Sequence, residues 1–139
     1  MDGVTPGPAF EYDESELPVV RVELLRVPTV AESEELQARF RALWAKDQPY
    51  VVAVKTPKLG SSAVYADIRR TWAEFSKSES DHIARYCKGL GITIDAAIIR
   101  GMISFLSWFA RLPYPVEYFK TLDEALDWCR ARADEVARS

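Results

Sequence analysis

Hydrophobic and polar residues change their rhythm several times along the chain, and each change marks an element. In "VVRVELL", Val20, Val22 and Leu24 alternate with Arg21 and Glu23, the period of a strand with one buried face. "FEY" before it reads as a short earlier strand, with "DESE" as the turn between the two. The rhythm then lengthens: Leu36, Phe40, Leu43 and Trp44 fall at i, i+4, i+7 and i+8, one face of a helix. Ser33 is the expected cap, with Glu34 and Glu35 in the first turn. "YVVAVKT", a short β-branched run between Pro49 and Pro57, predicts a central strand buried on both faces.

A long helical stretch follows, opening after Gly60 and closing at Gly89 or Gly91. Val64, Ile68, Trp72 and Phe75 make one stripe and Ile83, Tyr86, Cys87 and Leu90 another, with the polar "SKSES" as a break between them. "ITIDAAII" predicts the next strand and "PVEYFKT" the last. The final helix opens on Thr121 with Glu124 three residues later, a capping box, and buries Leu122, Ala125, Leu126, Cys129 and Ala133. The order ββαβαβαβα implies an α/β fold: one domain with a mixed, largely parallel sheet of four to five strands, flanked by about four helices. Residues 1–9, rich in Gly and Pro, read as a loose tail before a domain over 10–136.

One segment is more apolar than this architecture requires. "GMISFLSWFA", between Arg100 and Arg111, lies in a predicted helix over 98–112. Ile99, Met102, Ile103, Leu106 and Ala110 form a stripe that a sheet would bury, and Ile98, Phe105, Trp108, Phe109 and Leu112 form a second beside it. Each large side chain left in water forgoes roughly 1.5–3 kcal/mol of burial, so the second stripe needs a cover. Other segments of the chain, or another molecule, would supply it. The run is about half the length of a bilayer-spanning helix, so no transmembrane segment is expected.

Composition narrows the function mainly by exclusion. The net charge of −3 and pI near 5.3 do not suit a nucleic-acid binder. The N-terminus lacks the basic and apolar regions of a secretory signal, so a cytoplasmic location is the expectation. Cys87 and Cys129 lie in two predicted helices with no CxxC or Cys/His cluster, which suits reduced, partly buried thiols and neither a metal nor another cofactor. His82, the single histidine, stands beside Asp81 in a helix, where a surface role is expected. The first long strand leads into "RVPTVAESEE", without glycine and with an acidic helix start that would repel phosphate. "KTPKLGSS" lacks P-loop spacing, and no nucleophile elbow occurs. No catalytic constellation emerges, and the chain reads as a non-enzyme.

The stretch "LGITIDAAIIRGMISFLSWFARLPYPVEYFKTLDEALDW" resembles the C-terminal half of bacterial SpoIIAA-like proteins, a STAS-like family related to Sec14 domains. The matching positions are Arg100, Gly101, Trp108, Pro113, Pro115, Phe119, Glu124, Ala125 and Trp128, and "DIRRTWAEF" resembles the preceding arginine-bearing helix. The likeness covers about residues 10–132 and is more specific in the last forty. It implies a regulatory or scaffolding module that works through a protein partner or as a homo-oligomer. Its interface would be Ile98, Arg100, Phe105, Trp108, Phe109 and Leu112. The Sec14 side of the likeness implies the alternative, an apolar small-molecule or lipid binder using the same residues. In the anti-sigma-antagonist branch of STAS domains a serine at a helix start is phosphorylated; the corresponding place here is Ser61 or Ser62, without that branch's preceding Asp or following Gly-Leu.

Overall fold

A computed structural model describes residues 8–56, 63–93 and 113–138. Five strands form one sheet in the order β1-β2-β3-β4-β5: Phe10–Glu16, Val19–Leu24, Tyr50–Lys55, Cys87–Thr93 and Val116–Phe119. The first pair is antiparallel and the other three pairings are parallel. Helices α1 (Val30–Trp44), α2 (Ala63–Ser78), α3 (Ser80–Tyr86) and α4 (Leu122–Arg138) complete the described elements. The α/β class and the mostly parallel sheet agree with the hydrophobic pattern.

Among the described residues the two faces are covered unequally. Val20, Val22, Tyr50, Val52, Cys87, Leu90 and Ile92 meet Leu36, Phe40, Leu43 and Trp44 of α1, Phe75 of α2, and Ile83 and Tyr86 of α3 in one core. Successive parallel crossovers of one hand place α1 and α2 on the same side. The opposite core is small: Val19, Val51 and Ala53 against Ala125, Cys129 and Ala133 of α4. Strand β3 feeds both cores, as its unbroken apolar run predicts.

Glycines in β4 permit the close approach of α4. A Cβ at Gly89 would lie 3.1 Å from the Trp128 ring and 3.2 Å from Val51. A Cβ at Gly91 would lie 3.3 Å from the Cys129 sulfur. The sheet carries the bare backbone here, and the helix brings alanine and cysteine to it. Arg132 Nε fastens the contact by donating to the Lys88 carbonyl at 2.9 Å.

Several boundaries differ from the pattern's reading. Strand β4 starts at Cys87, inside the stretch expected to be helical, and is Cys87–Thr93, where "ITIDAAII" was the expected strand. Cys87 is thus a strand residue, not a helical one. The turn expected at "DESE" belongs to β1, whose pairing is irregular between Asp13 and Glu16, and the chain reverses at Leu17–Pro18 across a cis peptide bond. The "SKSES" break is present, with Glu79 between α2 and α3.

The cap of α1 is Thr29 rather than Ser33. The Glu32 amide donates to the Thr29 hydroxyl at 3.1 Å and the Thr29 amide to the Glu32 carboxylate at 3.0 Å. Ser33 is fully buried within the helix and its hydroxyl has no hydrogen-bond partner among the described residues. Thr29→Ala should therefore cost ~1 kcal/mol, whereas Ser33→Ala should be neutral or stabilising. Urea midpoints of the two variants check this, and equal losses would contradict the assignment. At the other end of the chain Thr121 caps α4 as expected, accepting from the Glu124 amide at 3.2 Å.

Candidate functional site

Parallel strands end together, and in open α/β sheets that carboxyl edge is where functional loops gather. Here Lys55 of β3 stands in register with Thr93 of β4, and Thr93 with Phe119 of β5. One residue beyond β3, Thr56 donates twice to the Thr93 carbonyl, from its amide at 3.1 Å and its hydroxyl at 2.8 Å. The positions that precede residues 57–62 and 94–112 in the chain, Thr56 and Thr93, are therefore adjacent and hydrogen-bonded. The first stretch holds Ser61 and Ser62; the second holds Ile98, Arg100, Phe105, Trp108, Phe109 and Leu112. All eight lie outside the described residues, so what the structure defines is the frame that carries them.

That frame is polar on the α4 side. The Lys55 ammonium lies 3.5 Å from the Glu23 carboxylate on the neighbouring strand, a half-exposed pair of the weak surface kind. Arg26, just after β2, forms a two-pronged pair with Glu32 in the first turn of α1. The Arg26 guanidinium, helped by the Thr29 amide, holds the Glu32 carboxyl down at about 2. The N-terminus of α1 is thus occupied by the chain's own carboxylate and hydroxyl, consistent with the absence of a phosphate-binding turn in the sequence.

The residues most suited to chemistry elsewhere are occupied by packing or pairing. Cys87 and Cys129 are free and buried, and burial pushes both thiols up to about 12. A thiol so placed is almost entirely protonated near neutrality and is a poor nucleophile. In the native protein at pH 8 neither should react with a maleimide or disulfide reagent on the timescale of a free thiol. The thiolate fraction alone lowers the rate roughly a thousandfold, and both should react at once in denaturant. Fast labelling of the native chain would contradict this burial. His82 is a surface residue, as its setting suggests: its Nδ1 is 3.0 Å from Glu79 and its ring stacks on Trp44 at 5.2 Å. Among the described residues no group of three or more His, Cys, Asp or Glu is placed to hold a metal ion.

One surface cleft was not evident from the sequence. It has a volume of about 210 Å³ and lies between α4 and the β1–β2 hairpin, with Val19 and Leu126 as its apolar lining. Asp13 and Arg21 pair at 3.2 Å across the hairpin, and Glu16 and Arg130 pair at 3.2 Å between β1 and α4. Only the hairpin register brings Asp13 opposite Arg21; in the sequence the two belong to different elements. Arg130 meets Glu16 across most of the chain's length, a contact that no local pattern announces. Comparison of the chain with protein-family models, with curated proteins and with solved structures returned no match.

Proposed function

We propose that this chain is a non-enzymatic regulatory or scaffolding module of the cytoplasm, STAS-like in kind, acting through a protein partner or a second copy. The interface is the predicted helix 98–112, with Arg100 at its start and Ile98, Phe105, Trp108, Phe109 and Leu112 as its contact stripe. The observation that carries this reading is the second apolar stripe of that segment. The described elements support it because they leave few of their own large apolar residues exposed. Among them, Leu25 and Val30 are the large hydrophobics that stand exposed, at 43% and 39%. Buried thiols and a histidine stacked on tryptophan also favour binding over catalysis. No helix among the described residues is long and apolar enough to cross a membrane.

Ser61 and Ser62 immediately precede α2 in the sequence. Phosphorylation of either would add negative charge beside a helix N-terminus, a favourable placement, and would give the module a means of regulation.

Trp108→Glu tests the interface. The wild-type chain should run as a dimer, or hold a partner, in size-exclusion chromatography with light scattering. The variant should lose that assembly while keeping its circular-dichroism spectrum and melting cooperatively. A wild-type monomer at high concentration that recovers no partner would overturn the reading. So would a native mass spectrum showing a co-purifying apolar molecule on a monomer, which would favour the ligand-binding alternative.

A further inference from the structure

We draw no further inference here: the strongest candidate, the cleft between α4 and the β1–β2 hairpin, carries nothing because its two arginines are already paired with its two carboxylates, Arg21 with Asp13 and Arg130 with Glu16.

Discussion

Gly89→Val should destabilise the protein by ~2–3 kcal/mol and lower its melting temperature by roughly 10 °C. The added Cβ alone would lie 3.1 Å from Trp128 Cη2, 3.2 Å from Val51 Cγ1 and 3.3 Å from Arg132 Cγ. Carbon atoms in ordinary contact sit about 3.5–4.0 Å apart. Trp128 and Arg132 are only half-buried and can swing away at modest cost. Val51 cannot: it is 1% exposed on the central strand, with β2 and β4 bonded on either side. The two methyls of valine extend the clash, so α4 must lift from the sheet. Gly91→Ala should be milder, because its nearest contacts lie at 3.3–3.4 Å, near the ordinary limit. Combining Gly89→Val with Trp128→Leu should cost less than the two single losses together, because the shorter side chain removes the 3.1 Å contact. Urea unfolding gives the ranking, and a Gly89→Val protein as stable as wild type would mean that α4 does not pack here.

A comparable loss, ~3–5 kcal/mol, is expected for Trp44→Ala. Trp44 is 5% exposed at the end of α1. Its indole stacks on Phe75 at 5.7 Å and on His82 at 5.2 Å, and Nε1 donates to the Tyr50 hydroxyl at 3.1 Å. Truncation removes the surface that joins α1 to α2 and α3 and leaves a cavity under it. The hydrogen bond can be separated from the packing. Tyr50→Phe keeps the ring but leaves the indole N–H buried and unpaired, at ~1–3 kcal/mol. Trp44→Phe removes the donor instead. In the double variant neither partner is stranded, so its loss should fall short of the sum of the single losses. Strict additivity in a double-mutant cycle would show that the 3.1 Å contact contributes no coupling.

The hydrophobic rhythm made the architecture legible because each core face repeats at the period of its own element. Leu36, Phe40, Leu43 and Trp44 share one helix face, and Ala125, Cys129 and Ala133 another. Strand β4 was hidden for a physical reason. Ile83, Tyr86, Cys87 and Leu90 are spaced like a helix stripe and do share one core, yet they belong to α3 and β4. A register shift in the β3–β4 pairing places Cys87 opposite Tyr50 and Leu90 opposite Val52, so a three-residue step spans what two residues normally span. Gly89 and Gly91 resemble helix stops, whereas their role is to let a helix approach. The α1 cap was misplaced because Thr29 precedes an apolar pair, although "TVAE" carries the Thr and Glu of a capping box. The proposed site is another matter: its apolar surplus is visible in the letters of 98–112, while its cover depends on neighbours that periodicity does not name.

The order of the described elements along the chain also sets a timetable. Helix α4 is the last described element in the chain, so all five strands leave the ribosome before it does. At ordinary synthesis rates its 17 residues take roughly one to three seconds, long compared with the microseconds in which a helix forms. For that interval the face carrying Val19, Val51 and Ala53 lacks α4, whose Ala125, Cys129 and Ala133 complete its core. Its buried apolar side chains on the strands are two valines and an alanine, with Phe119 of β5 packed against them and glycines beside them on β4. The strands of that face offer a neighbouring chain few large side chains while they wait.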